Sequence, residues 1–596
     1  MDYKACPNLV AMFYDFAAAK GDAPFLWAKK DGAYEALSWT ESADKVGALA
    51  AGLKELGVGA GDRVMLVAEN RPEWLIADIA IMAIGAITVP AYTTNTVDDH
   101  LHIIRDSGAK GGIVSTARLA ERFLEACHRV DDMGFAIAME PPNRHQELNV
   151  DVHDWDEVLT KGAGEAQAAK DNATRWRRDD TACIIYTSGT GGSPKGVMLH
   201  HGAMIHNCEG ARDLLLELGL EQEVFLSFLP LSHSYEHTAG QMFPISIGAE
   251  IYYAEGIETL VANMAEAQPT LMTAVPRLYE MMHGRIMRGV EQQGGLKAKL
   301  FHKAVELGTK EYNAPGSLSV GEKLTNGLVE SLVRSKVRGR FGGRLKAFVS
   351  GGAPLNPEIG IFFSALGLRL LQGYGQTESA PVISANLPSN IKMHTVGPPL
   401  TDVEVKIAED GEILVRGELV MKGYWNNADA TAAAIQDGWL HTGDVGRIDD
   451  QGYIEITDRK KDIIVNSGGD NLSPQRIEGL LTLQPEVSQA MVFGDKRPHI
   501  VALMVPDTDW FNDWCKETGK SGDLADMIGD EDLRKAMQGA VERINEGISN
   551  IEKVRRFTLT AEPFTVDNGQ MTPTLKVRRH EVLRAYGEAL EGLYGK

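Results

Sequence analysis

The sequence predicts an α/β protein: a large N-terminal domain of stacked α/β sheets with a small β subdomain, then a smaller α+β C-terminal domain. Three observations carry this. From Arg63 onward strand and helix patterns alternate, the signature of a parallel sheet covered by helices. Residues Glu404–Gly423 alternate apolar and polar side chains, as a small sheet or barrel does. A charge cluster from Asp458 to Asp462 meets a strand, a Gly-Gly turn and a helix start at Ser473-Pro474, which places a boundary near 460 and divides the chain into 1–460 and 461–596.

At 596 residues the chain exceeds a single core. Its 82 acidic and 60 basic residues leave a net charge of −22, which argues against nucleic acid as a partner. Five scattered cysteines without a C-x-x-C pair suit reduced thiols rather than a disulfide framework or a zinc site. The N-terminus lacks the basic start and apolar core of a signal peptide. The best candidate membrane span, Trp74–Tyr92, contains Asp78, Gly85 and Pro90, so a buried helix followed by a strand is expected. These features suit a cytoplasmic enzyme.

In chain order, residues 1–60 read as two amphipathic helices around a hairpin at Phe25–Trp39. The alternating region follows: strand from Arg63, helix Trp74–Ile84, strand Ile87–Tyr92, helix Val97–Asp106, strand from Gly111. Residues 140–180 read as polar and loop-rich. The strand opening at Thr181 breaks into Thr187, Ser188, Gly189, Thr190, Gly191, Gly192, Ser193, Pro194 and Lys195. Glycines bring several N–H groups to one point, and hydroxyls and an ammonium add to them, so the loop suits a polyphosphate. It departs from the P-loop spacing, and a plain Gly/Ser turn is the other reading.

A helix at Ala203–Leu218 precedes FLSFLPLSHSYEH, where His233, Tyr235, Glu236 and His237 cluster. A substrate-pocket wall is preferred to a metal site because no third ligand is in view. For His237 a wall position and a structural histidine stand level. Residues 280–340 read as a helical insertion whose end holds Arg334, Lys336, Arg338, Arg340, Arg344 and Lys346 without an acid. A solvated face and a transient contact with anionic lipid are its two readings.

Two glycine-rich strand exits follow, FVSGGAP with Gly351 and Gly352, and LLQGYGQTESA with Gln372, Gly373, Tyr374, Gly375, Thr377 and Glu378. Ligands sit beyond the carboxyl ends of strands in open α/β sheets. Tyr374 offers an aromatic face, Thr377 a hydroxyl, and Glu378 a carboxylate for a hard cation. GWLHTGD ends in Asp444, suited to a ribose diol or to ordinary turn chemistry. Near the end, TPTLK sets Lys576 on a loop.

In order and spacing, YTSGTGGSPKG, LPLSH, GYGQTE, GELVMKGYW, GWLHTGD, DRKKDIIVNSGG and TPTLK resemble the adenylate-forming superfamily of acyl-CoA synthetases, luciferases and peptide-synthetase adenylation domains. The branch resembled most is the long-chain fatty-acid–CoA ligases. One departure is Gly191, where the family usually has threonine. The resemblance implies ATP, Mg²⁺ and coenzyme A as reactants or cofactors and a fatty acid as substrate. It implies that Ser188–Lys195 holds phosphates, that Thr187 and Glu378 ligate Mg²⁺, and that Tyr374 lies by adenine. Asp444 and Arg459 would hold ribose, and Lys576 would bridge carboxylate and α-phosphate. Lys461 would be the hinge of a mobile C-terminal domain. Tyr235, His237, Met242 and the strand before Gly351 would line the acyl pocket, with His237 at its mouth. Carrier-protein loading, a medium-chain or aryl acid, a luciferase-like oxygenase and a degenerate scaffold are the alternatives. Monomer and homodimer are both compatible with the sequence.

Overall fold

Two eight-stranded sheets carry the large domain. In this computed structural model residues 1–143, 149–187, 193–468, 470–572 and 576–595 are described, with all their side chains except those of 165, 166 and 471. The alternating region forms most of one sheet: Arg63–Val67, Ile87–Pro90, Gly111–Val114, Phe135–Ala138 and Asp151–Asp154 run parallel. Thr181–Thr187 joins beside Ile87–Pro90, and Lys195–His200 and the short edge Gly423–Tyr424 extend it in antiparallel fashion. The second sheet includes Val382–Ala385, Leu370–Gly375, Ala347–Ser350, Leu271–Ala274 and Val224–Ser227 in that spatial order.

Helix Pro72–Ala83 explains why the sheets stack. It touches strands of both, and every residue except Glu73 is buried. Trp74, Leu75, Ile76, Ile79 and Ile81 each contribute about 1.5–3 kcal/mol by leaving water. No helix among the described residues is long and apolar enough to cross a membrane.

Three sequence expectations are revised. Within segment 140–180, residues 155–175 are mostly helical, with helices at Trp155–Gly162 and Ala166–Asp171. Asp154 caps the first by accepting from the N–H groups of Asp156 and Glu157, and Trp155, Val158 and Leu159 bury its apolar face. Ser473 makes no capping bond to its helix; its hydroxyl bonds Asp458 instead. The basic run 334–346 is not one solvated face. Arg334 is 6% exposed and donates to the carbonyls of Ala365 and Ala304. Arg338 pairs with Glu330 and Lys346 with Glu223, leaving Lys336, Arg340 and Arg344 exposed.

A five-stranded sheet follows, built on Glu404–Ile407, Glu412–Arg416, Trp439–Ile448 and Ile454–Arg459. Beyond it, Val487–Phe493, Ile500–Pro506 and Val554–Leu559 form a separate three-stranded sheet. The core around it, from Ile464 to Phe557, shares no member with the cores of the large domain. Contacts between the two parts include Arg288, paired with Asp507 and Asp509, Asn356, which donates to the Gly479 carbonyl, and Leu483, which packs on the core around Tyr279 and Phe363. All five cysteines are buried free thiols.

Candidate active site

The hairpin Thr181–Thr187/Lys195–His200 sets Thr187 opposite Lys195 where its two strands lead into the connection between them. Ser188, Gly189, Thr190, Gly191 and Gly192 lie outside the described residues, as do 573–575 of the TPTLK motif. The base of the loop is anchored by one face of helix Val97–Ser107. His102 Nε2 lies 2.9 Å from the Pro194 carbonyl, and Asp106, one turn on, accepts from the Tyr186 hydroxyl at 2.6 Å. Trp425 Nε1 donates to the Asp106 carbonyl. A Cβ on Gly196 would come within 2.7 Å of Ile184 and 3.2 Å of Trp425, so only glycine fits. The helix residues His102 and Asp106 lie outside every quoted motif, and only their i, i+4 spacing hints at a shared face.

Strand Leu370–Gly375 delivers the next groups. A Cβ at Gly375 would sit 1.7 Å from the Pro381 carbonyl oxygen, so glycine there lets Val382–Ala385 fold back against it. The turn Thr377–Ser379 then presents Glu378, while the Thr377 hydroxyl lies 3.1 Å from that of Ser234. Tyr424 donates to Glu378 Oε1 at 2.8 Å, and the Lys195 ammonium lies 5.0 Å from the centre of the Tyr424 ring. Tyr424, which sequence reasoning did not single out, therefore joins Lys195 of the hairpin to Glu378 of the neighbouring strand exit.

Asp444 lies on Trp439–Ile448 opposite Arg459. Its Oδ1 accepts from Arg459 Nε at 3.0 Å and its Oδ2 from the Tyr374 hydroxyl at 2.7 Å. Tyr374 is thereby packed to 9% exposure, an oriented ring edge rather than an open aromatic face. Each carboxylate oxygen keeps a lone pair for a further donor. Gln372 is nearly buried with Oε1 unpartnered among the described residues.

The FVSGGAP exit lies against Tyr235, whose ring would be 2.9 Å from a Cβ on Gly351; Gly352 has φ +82°. The Tyr235 hydroxyl donates to the Val349 carbonyl, and its ring packs with Leu229 and Val275. Met242 is fully buried. His237 is not at a mouth. It has 0% exposure, and its Nε2 lies 2.8 Å from Oδ2 of the equally buried Asp78. The side chain was drawn inward by a carboxylate on the helix between the sheets, a partner invisible from the local sequence. Glu236 is also sealed in, accepting from Ser227 and Thr273, and burial raises its pKa to about 7.

Lys576 is fastened to Thr572 in the C-terminal domain: its N–H donates to the Thr572 hydroxyl, its carbonyl accepts from the Thr572 N–H, and Met571 bridges Val577. Its ammonium lies within the fields of Arg459, Asp444, Glu378 and Asp462. Crowding around the ammonium, then repulsion from Arg459, lowers its pKa to about 8. Water still reaches the side chain, so the shift describes proton binding and carries no folding energy. His233 faces the same ammonium, and burial followed by that charge lowers its pKa to about 3, leaving a neutral ring whose Nδ1 accepts from the Tyr235 N–H.

Lys461 is exposed in the turn after Arg459. Its neighbour Lys460 is tied to Asp410 and Glu412 of the small sheet.

Among the described residues no group of three or more His, Cys, Asp or Glu could hold a metal ion by itself. Thr187 and Glu378 are oxygen donors flanking Lys195 and Tyr424, with Glu378 Oε1 already oriented. That set fits Mg²⁺, which takes one or two protein oxygens and completes its shell with water and phosphates.

Residues 13–425 match the family model of the AMP-binding enzyme, and 461–596 that of the AMP-binding enzyme C-terminal domain. The chain is 34% identical to long-chain-fatty-acid–CoA ligase FadD15 of Mycobacterium bovis, covering 99% of this chain and 97% of that one. It is 31% identical to the peroxisomal long chain acyl-CoA synthetase 6 of Arabidopsis thaliana, covering 94% and 82%. Among solved structures, the A domain of carboxylic acid reductase from Segniliparus rugosus, in complex with AMP and a co-purified carboxylic acid, superposes with a TM-score of 0.77 at 22% identity, covering 99% and 94%.

Proposed function

The chain belongs to the AMP-binding enzyme family, and on that premise we propose that it joins a long-chain fatty acid to coenzyme A through an acyl-adenylate. A carboxylate oxygen attacks the α-phosphorus of ATP and pyrophosphate leaves. The CoA sulfur then attacks the acyl carbon, the bond to AMP breaks, and the thiol proton passes to solvent.

The observation that carries the reading is the convergence of Lys576 with Glu378, Asp444 and Arg459 on one cleft. Attack by an anion on a polyanion needs positive charge at the meeting point, and Lys576 answers that need by screening carboxylate from α-phosphate. Residues Ser188–Lys195 receive the β- and γ-phosphates. Thr187 and Glu378 would hold Mg²⁺, which when bound offsets phosphate charge. Tyr424 acts as a positioning residue, steadying Glu378 through its hydroxyl and Lys195 through its ring. Asp444 and Arg459 hold the ribose, and Gln372, Gly373, Tyr374, Gly375 and Thr377, with Gly352, form the adenine side. The apolar surface around Tyr235, Gly351, Leu229 and Val275 begins the acyl pocket.

Residues 1–460 and 461–596 act as separate domains in this proposal. With Lys460 anchored to Asp410 and Glu412, the next residue, Lys461, takes up the rotation that exchanges Lys576 for a CoA-binding face. Contact with an anionic membrane is a further part of the proposal, carried by the helical insertion rather than by the basic run alone.

AMP release from acids of graded length, with and without CoA, tests the reaction. Each methylene buried is worth about 0.8 kcal/mol, so kcat/KM rises about fourfold per carbon until the pocket is full. Release indifferent to CoA would redirect the reading to carrier loading, and preference for short or aryl acids would exclude a long pocket.

A further inference from the structure

The helical insertion inverts the charge of the protein. Residues 276–346 hold 14 Lys and Arg against 6 Asp and Glu, a net +8 in a chain of net −22. On the same insertion lies a row of exposed apolar side chains. Val320, Leu324, Leu328 and Leu332 are 78, 75, 53 and 41% exposed. They recur every fourth residue along Val320–Val329 and its continuation to Arg334, so they form one ridge. Leu296, at the start of the helix packed beside it, is 73% exposed.

The acids of the ridge helix turn away from it. Glu322 closes a capping box and pairs with Lys310, and Glu330 pairs with Arg334 and Arg338. Lys297, Lys299, Lys323, Lys336 and Arg340, in contrast, make no ion pair among the described residues. An apolar ridge flanked by unpaired cations is the pattern of a helix that lies in the headgroup boundary of an anionic bilayer. A second copy of the chain is the poorer occupant, because a self-complementary contact here would set two strongly basic insertions face to face.

We propose that the ridge Val320–Leu332, with Lys297, Lys299, Lys323, Lys336 and Arg340 around it, seats the protein on the surface of an anionic lipid bilayer. The fatty-acid reading explains why such a seat would serve, since a long acyl chain partitions into lipid. The surface itself stands without that reading.

The test is co-sedimentation of the full-length protein with phosphatidylcholine vesicles containing or lacking phosphatidylglycerol, with no ATP, acid or CoA present. Binding then reports on the ridge even if the substrate assignment fails. The expected result is binding to the anionic vesicles, at least about tenfold weaker on neutral ones and with added salt. Leu324→Glu with Leu328→Glu should abolish it without moving the thermal midpoint, as both side chains are exposed. Lys297→Glu, Lys299→Glu and Lys336→Glu together should weaken it about tenfold or more. Equal sedimentation of wild type and the leucine variant, or no binding by wild type, overturns the proposal. So does a concentration-dependent dimer in light scattering that the leucine variant dissolves, since the ridge would then be a contact between copies.

Discussion

The large domain holds its share of the cleft from behind. Tyr374 and Arg459 bind the two oxygens of Asp444, Tyr424 holds Glu378, and His102 fixes the Pro194 carbonyl. Each of these groups stands on or next to a paired strand or a packed helix. The C-terminal domain brings Lys576, fastened to Thr572, and the two domains meet through few polar contacts, among them the partly exposed Arg288 pairs. In the proposed function one side holds the nucleotide, and the other supplies charge from a domain that rotates away. The difference fits a reaction in two steps, because the positive group wanted for the first has to withdraw before a thiol can approach.

Removing the lysine should break this contrast most sharply. Lys576→Ala is expected to slow adenylation about a thousandfold, near 4 kcal/mol, as read by ATP–pyrophosphate exchange. Thioester formation from supplied acyl-AMP should stay within about threefold. If both halves fall together, the C-terminal domain is not confined to one step.

Lys461→Pro probes the junction itself. Exchange should stay near normal while thioester formation drops by about a hundredfold, because the turn can no longer rotate. Equal slowing of both halves would mean that the turn is only structural.

On the fixed side, Tyr424→Phe keeps the ring under Lys195 and removes the bond to Glu378. The Mg²⁺ concentration for half-maximal nucleotide binding, measured by calorimetry without acid or CoA, should rise about tenfold. An unchanged Mg²⁺ requirement would separate Tyr424 from the metal-binding carboxylate.

The pH profile sharpens the comparison more gently. Lys576 must be charged to act, and its pKa is lowered to about 8, so its contribution is complete below that pH and lost above it. The kcat/KM for ATP in exchange should therefore decline above about pH 8, approaching tenfold per unit, and Lys576→Arg should move the decline upward. A flat profile to pH 10 would remove the lysine from the titration. Smallest is Arg288→Ser, which loses two part-exposed ion pairs worth about 1 kcal/mol or less in all. It should shift the ratio of half-reaction rates by less than about fivefold.

Much of this site was legible because strands advertise their exits. Leu370–Gly375 is a strand that ends in glycine, and Glu378 just beyond it is the residue brought to Tyr424, beside Lys195. The helices of 155–171 were missed because their polar outer faces outweigh a few buried side chains such as Trp155 and Leu159. Arg334 was misread for the opposite reason. A run of cations looks solvated until a backbone with unfilled carbonyls, here those of Ala304 and Ala365, folds over one of them.

Local chemistry in the chain determined where strands end, which loops carry oxygen donors and ammonium groups, and that a turn follows Arg459. Only tertiary structure decided who meets whom: Tyr374 with Asp444 across 70 residues, Tyr424 with Glu378 across 46, His237 with Asp78 across 159. Periodicity and turn preference act over a few residues and are written in neighbours. A hydrogen bond between distant side chains depends on how two sheets and the helix between them close, which no short stretch encodes.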